Sequence, residues 1–371
     1  MVRRSFALVL TALGLLALAP TPASADIGSR RVIGNLRAPV AFTFGPGRTI
    51  WYVEKETGQV RIHDLDTDRD RLFVTVPNVN GIGERGTLGV ALHPRYPMKP
   101  LVYVFATRNQ GGELRNQILR YRDRRGSGVQ RRILFSAPAG SAPNHHGGRI
   151  LFGPDGLLYT VVGEGAEPER SQDLADDRGK LLRIEPDGDI PPDNPLDGRL
   201  FAFGIRNSFG FAFDPQTGDL WETENGPNCN DEVNLILPGR NYGWGPNQTC
   251  GGDAPENTNQ DGPNPVLPDL FYRSTIGITG IAFCEGCRLG NASEGTAFFG
   301  AINSGEITRI TFNAARTAIT DDTVVLDHGR GTISFEVSPN GRIFFSDFEG
   351  IYKLVQVEGG TSGLASRPAR R

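Results

Sequence analysis

The sequence predicts an all-β protein, a six-bladed β-propeller, on three observations. Glycine and proline are abundant, 48 and 26 of 371 residues, and the apolar fraction is only 38%, which suits short strands and tight turns and disfavours long helices. One phrase recurs: a few apolar residues, then Pro with Gly, Asp or Asn in a turn, then a second apolar strand. Its turn prolines, Pro46, Pro94, Pro154, Pro215 and Pro339, lie 48, 60, 61 and 124 residues apart, so the last gap is twice the usual one. A degenerate copy running from Leu289 to Phe299 falls in that gap and brings the count to six. A period of roughly 40 to 60 residues with several strands per unit is the signature of a propeller, each repeat being one four-stranded blade. A β-sandwich or a pair of small β domains would match the strand content but not the spacing.

From the start of the chain, Arg3 and Arg4 precede an apolar run from Phe6 to Ala19, followed by Ala23-Ser24-Ala25. This reads as a secretory signal peptide over residues 1–25, since the run is too short for a comfortable membrane span and no lipid-accepting Cys follows it. The expected product is secreted or periplasmic, without membrane insertion, and begins near Asp26. Removing Arg3 and Arg4 leaves 37 basic against 42 acidic residues, too near neutral for a nucleic-acid binder. The propeller is expected over 26–357, its 21 Phe, 8 Tyr and 3 Trp supplying the core. The repeated phrase places strand–turn–strand units at Phe44–Val53, Leu92–Phe105, Phe152–Val161, Phe213–Trp221 and Val337–Phe345. Long connections, where function usually sits, are expected at 77–87, 108–148, 164–204 and 222–275. The polar, basic residues 358–371 read as a disordered tail.

The four cysteines, Cys229, Cys250, Cys284 and Cys287, allow three pairings, which sequence alone does not separate. Local loop closure favours Cys229–Cys250 with Cys284–Cys287. A redox or zinc role for Cys284-Glu-Gly-Cys287 lacks a second CxxC or a suitably spaced His pair.

Counting back nine or ten residues from each turn proline reaches the entry to the innermost strand, beside the central channel. In three consecutive blades that point is Glu84, His145 and Arg206, and in the sixth it is Arg330. A carboxylate, an imidazole and a guanidinium converging on one channel mouth make a candidate active site. The plainer reading, strand-entry residues that satisfy turn backbone groups, applies to each taken singly.

These residues sit in motifs that resemble a known family. Asn144-His145-His146-Gly-Gly-Arg149, Phe152-Gly-Pro-Asp-Gly-Leu-Leu-Tyr159 and Gly163-Glu-Gly165 are similar to the core signature of the soluble pyrroloquinoline-quinone (PQQ)-dependent sugar dehydrogenases, the glucose/sorbosone dehydrogenase family. Glu84–Gly89, Arg178–Ile184, Gly204-Ile-Arg-Asn207, Glu224-Asn-Gly-Pro227, Asp231-Glu232 and Asn241-Tyr-Gly-Trp244 extend the resemblance over roughly 35–355. The resemblance implies a six-bladed propeller, in agreement with the repeat count. It also implies an exported oxidoreductase that takes hydride from the anomeric carbon of an aldose sugar to PQQ, yields a lactone and passes electrons to an external acceptor.

Carried over by position, the resemblance makes His145 the general base, a role that suits an imidazole titrating near neutrality. Asn144 stands where other members have Asp, which removes a charged partner of the base. Arg206 and Asn207 match the pair at the quinone oxygens, where a guanidinium would stabilise developing negative charge. Gly226 and Pro227 match the residues whose carbonyl oxygens hold Ca2+, a hard cation that takes oxygen ligands. Glu84 matches a residue close to both cofactor and substrate, and His146 a variable position. The pattern then departs from the family. Asn303, Gly331 and Ile333 occupy the positions of one Lys and two Arg that clamp the carboxylates of PQQ, leaving Arg330 and Arg85 as substitutes. At about 1.5–3 kcal/mol for each charge-assisted contact, losing all three weakens binding by ~10³-fold or more. A non-enzymatic propeller that has lost PQQ and serves as a binding module is the competing reading. A lactone-hydrolysing Ca2+ propeller would instead require side-chain carboxylates and amides around the channel.

Other motifs are weaker. Asp64-Leu-Asp-Thr-Asp-Arg-Asp70 resembles the start of an EF-hand loop but has Arg69 at the turn glycine and Thr75 at the bidentate Glu, so an exposed acidic turn is expected. GxSxG, P-loop, HExxH and haem-attachment CxxCH motifs are absent, which argues against the common hydrolase, nucleotide-binding, zincin and cytochrome readings. Tyr242 and Trp244 have the chemistry to stack on a sugar, but buried aromatics in a tight inter-strand turn are expected.

Overall fold

A computed structural model describes residues 26–250 and 255–357. The signal-peptide and tail readings fall on residues 1–25 and 358–371 and lie outside the described residues. The described chain forms six four-stranded antiparallel sheets. Blades one to six span 42–75, 87–138, 150–203, 208–272, 278–327 and 335–357, and the strand Asp26–Ile33 completes blade six by pairing antiparallel with Ile351–Val357. Among the described residues the only helical segments are three short 3-10 turns, and no helix is long and apolar enough to cross a membrane.

Strand periodicity explains the ring. In Leu101–Gln110, Val102, Val104 and Ala106 pack against blade one while Tyr103 and Phe105 pack against blade three, because successive side chains leave opposite faces of a strand. The same alternation elsewhere gives six apolar clusters, one at each junction between neighbouring blades. Each recurring Pro-containing phrase is the turn between the first and second strands of a blade. The degenerate copy is that turn in blade five, extended between Ile278–Phe283 and Ala297–Ala301. Both expected disulfides are formed, Cys229–Cys250 and Cys284–Cys287, the second inside this extended turn.

The expected long connections are partly corrected. Residues 108–148 hold the whole of two long strands, Glu113–Arg124 and Ser127–Pro138, so the true connection is confined to about 139–149. Residues 164–204 and 222–275 likewise contain outer strands, including Lys180–Ile184 and Asp231–Ile236. Alternating apolar positions there are diluted by arginines, such as Arg115, Arg120 and Arg122, which conceal the strand pattern. The acidic turn behaves as expected: Asp64 accepts from the backbone N–H groups of Asp66 and Thr67 at 2.9 and 3.0 Å.

Candidate active site

The inner strands enter from one face, and the residues just ahead of them line a cavity of about 400 Å3 at that mouth of the channel. Glu84, Asn144, His145, Arg206, Asn207 and Gly226 all line it. Five of these six belong to segments leading into the inner strands of blades two, three and four, and Gly226 follows the second strand of blade four.

His145 is held by its backbone as well as its ring. Its φ of +63° is left-handed, a strained conformation for a non-glycine residue. The backbone N–H donates to Glu84 Oε2 at 2.7 Å and the carbonyl accepts from Gly165 N at 3.0 Å. Glycine is required at 163, where a Cβ would lie 2.4 Å from that same carbonyl oxygen. The ring Nδ1 lies 2.8 Å from Glu164 Oε1, and both side chains are almost fully buried. A carboxylate acceptor there places the ring proton on Nδ1 and leaves Nε2 as the basic nitrogen. Sequence reasoning missed Glu164 as a partner. Its one signal was the Gly163-Glu-Gly165 motif, and it supplies the carboxylate that Asn144 lacks.

A second layer joins the blades. Asn207 donates to Glu84 Oε2 at 3.0 Å and accepts from Gly147 N at 3.2 Å, so Glu84 ties blade two to blades three and four. Arg206 donates to the Asn225 carbonyl at 2.8 Å, its guanidinium lies 5.3 Å from the centre of the Trp244 ring, and its backbone N–H meets the Glu224 carboxylate. Burial lowers the Arg206 pKa from its ordinary value, and its Nε is buried without a partner. Asp231, also unassigned by sequence, receives Gly226 N at 2.9 Å on one oxygen and the N–H groups of Ile276, Gly277 and Ile278 at 2.8, 2.7 and 3.2 Å on the other. Burial raises its pKa.

Several expectations fall outside this assembly. Arg330, expected at the cofactor, is exposed and paired with Glu349 and does not line the cavity. Its backbone covers Gly305, where a Cβ would lie 2.4 Å from the Arg330 carbonyl oxygen. Arg85, the other substitute cation, donates to the carbonyls of Gly140, Ser141 and Ala142. Pro227 does not line the cavity. Asn303 and Ile333 do line it, together with Ile302 and Phe348, whereas Gly331 packs so closely that a Cβ would sit 2.3 Å from the Ile302 carbonyl oxygen. His146 is fully buried, and burial pushes its pKa down to about 4. Tyr242 is core: its hydroxyl donates to Leu235 O at 2.6 Å and accepts from Leu237 N at 2.7 Å. Trp244 is also core, beneath Arg206.

Residues 36–353 match the family profile described as Glucose / Sorbosone dehydrogenase. The sequence is 31% identical to the quinoprotein glucose dehydrogenase B of Acinetobacter calcoaceticus over 60% of this chain, a match that spans about half, 53%, of that enzyme. It is 26% identical to the aldose sugar dehydrogenase YliI of Escherichia coli (strain K12) over 96% of this chain and 98% of that one. The PQQ-bound aldose sugar dehydrogenase of Streptomyces coelicolor superposes with a TM-score of 0.77 at 27% identity, covering 90% of this chain and 98% of its own.

Proposed function

We propose, from the premise that the chain belongs to the Glucose / Sorbosone dehydrogenase family, that it is an exported oxidoreductase converting an aldose-type sugar to the lactone. The observation that carries this is the Glu164–His145 pair, 2.8 Å apart, on a strained backbone at the cavity wall. His145 Nε2 takes the proton of the anomeric hydroxyl, and the C1–H bond yields its hydride to a two-electron acceptor as the lactone carbonyl forms. Glu164 stabilises the imidazolium that results, and Glu84 and Asn207 offer hydrogen bonds to ring hydroxyls. Electrons then leave to an acceptor outside the chain.

PQQ with Ca2+ is the redox pair this reading inherits from the family. Arg206 and Asn207 would face the quinone oxygens, and the carbonyl of Gly226 would face Ca2+, whereas Pro227, the second carbonyl that the resemblance implies, does not line the cavity. Only that edge of the cofactor is matched, and the residues present do not fit the group as a whole. PQQ carries three carboxylates, and each of the cavity's three cations already has a partner, while the Arg206 Nε stays unbonded. Lys55 donates to the carbonyls of Gly81, Gly83 and Arg85 at 2.9, 2.8 and 3.3 Å, Arg149 pairs with Glu336 at 2.6 Å, and Arg206 holds Asn225. No step of the proposal is therefore assigned to PQQ.

The test is dye-coupled oxidation of a panel of aldoses by the purified protein, supplied in turn with different quinones and Ca2+. Activity that disappears in His145→Ala supports the reading. Sugar binding without turnover under any acceptor would instead support the binding-module alternative, which the uncharged wall at Ile302, Asn303 and Ile333 favours.

A further inference from the structure

We infer that this pocket is built for an uncharged aromatic quinone, carbonyl edge toward Arg206 and ring against the blade five to blade six wall, in place of a tricarboxylate. The inference rests on the oxidoreductase reading only for calling the ligand an electron acceptor; the binding preference stands on the lining itself.

The mouth is chemically divided. On one side stand Glu84, Asp231 and Arg206, with Glu164 and Glu224 directly behind them. On the other stand Ile302, Ile333 and Phe348. The apolar side is fixed by backbone bonds: Ile302 N donates to Gly277 O at 2.8 Å, Ile333 N to Ser346 O at 2.8 Å, and Phe348 O accepts from Ala38 N at 2.9 Å. Ile333 is almost fully buried, while Phe348 keeps 46% of its surface open at the rim, a large apolar side chain with ring surface to spare. Carboxylates laid against this wall would lose their hydration with no positive side chain on it to meet them, since of the lining cations Lys55 is bound to three carbonyls and Arg149 to Glu336. The carboxylates of Glu84 and Glu164 across the cavity add like-charge repulsion. An uncharged ring meets neither penalty. It gains apolar contact with Ile302, Ile333 and Phe348, and a ring carbonyl supplies the acceptor that the partnerless Arg206 Nε lacks. A volume of about 400 Å3 admits a tricyclic ring system.

The experiment is calorimetric titration of the purified protein with 9,10-phenanthrenequinone, a neutral tricyclic o-quinone, and with PQQ, each in millimolar Ca2+. The expected result is a Kd for phenanthrenequinone at least about tenfold below that for PQQ. Phe348→Ala, at an exposed position, should weaken phenanthrenequinone by about fivefold, the scale of one ring contact, and leave PQQ unmoved. Asn303→Lys with Ile333→Arg should reverse the preference by tightening PQQ at least about tenfold. If thermal melting shows that the double variant does not fold, Asn303→Lys alone, also at an exposed position, should tighten PQQ by a smaller factor. Tighter binding of PQQ than of phenanthrenequinone to the unaltered protein, binding of neither, or indifference of phenanthrenequinone to Phe348→Ala would overturn the inference. Absence of sugar oxidation alongside the expected affinities would remove the enzymatic reading and leave this one in place.

Discussion

The two sides of the channel mouth share one scaffold and differ in what holds them together. Across blades two, three and four the contacts are side-chain hydrogen bonds that cross from blade to blade: Glu84 reaches His145 and Asn207, and Asn207 reaches Gly147. Across blades five and six the joining bonds run largely through the backbone, such as Gly280 N to Ile333 O at 2.8 Å, with the Thr279 and Thr332 hydroxyls donating to the carbonyls of Thr332 and Ala301, and the wall side chains Ile302 and Ile333 are apolar. Polar networks in a buried setting fix orientation at the cost of intolerance to change, whereas an apolar wall fixes shape and tolerates volume-conserving substitution. On the proposed reading the polar arc is where the chemistry is concentrated, and the wall is where ligand identity is selected.

The largest effect is expected on the arc. His145→Ala should lower kcat by ~10²–10⁴, the range of general-base catalysis, and should also lower Tm, because it leaves the buried Glu164 carboxylate without its ring partner. Glu164→Gln keeps the volume but allows the other tautomer, so its kcat should fall less, while the KM for sugar stays near the unaltered value. A KM effect exceeding the kcat effect in Glu164→Gln would mean that the carboxylate serves binding and not the base. Conservative changes on the wall, such as Ile302→Val, should leave kcat within about twofold.

Beneath the arc, Asp231 carries the next largest effect, on stability. Its carboxylate takes four backbone N–H groups from two blades. Asp231→Ala strands those donors and should cost ~3–5 kcal/mol in urea unfolding. A loss near that of a surface substitution would show that water replaces the carboxylate, and that the junction of blades four and five does not depend on it.

How much of this was legible in the sequence follows the same division. The blades were legible because each repeats a local signal, the Pro-containing turn between two apolar strands, and the entries Glu84, His145 and Arg206 were reached by counting from it. Local loop closure likewise gave both disulfides. Glu164 and Asp231 were not assigned roles because their partners come from other connections, and nothing local marks a carboxylate as the acceptor for a distant strand. The ring closure pairs Asp26 with Val357, a contact of maximal sequence separation that no local pattern announces. Arg330 stands apart from these entries for another reason: the count places a backbone at the mouth but does not set side-chain direction, and this guanidinium pairs with Glu349.

A smaller effect is expected from the buried acids on the second and third strands of blade four. Desolvation pushes the Glu222 carboxyl up to about 7 and that of Glu232 up to about 8, from an ordinary 4.5. Asn234, opposite Glu222 in the strand register, donates to both at 3.3 and 3.4 Å. Raised native values mean that the folded state binds more protons than the unfolded state between about 4.5 and 8. Stability from this pair is therefore complete below the ordinary carboxylate range and is lost as pH rises through 7 and 8. Unfolding in chelator across that window should show a decline that Glu222→Gln makes shallower. An unchanged slope in that variant would place the titration elsewhere.

The smallest effect belongs to Arg330, and it tests whether the wall is uncharged in solution. Its pair with Glu349 is exposed on both sides, at 55% and 66%, and pairs of this kind contribute about 0–1 kcal/mol. Arg330→Ala should change urea stability by less than about 1 kcal/mol and leave quinone affinity and its salt dependence unaltered. Were the guanidinium to swing inward when a carboxylate-bearing ligand arrives, the variant would instead weaken PQQ selectively, most at low ionic strength, where a single added charge is least screened. Affinity measured at two salt concentrations separates the outcomes: parallel lines for the unaltered protein and the variant keep the wall uncharged, and converging lines restore Arg330 to the site.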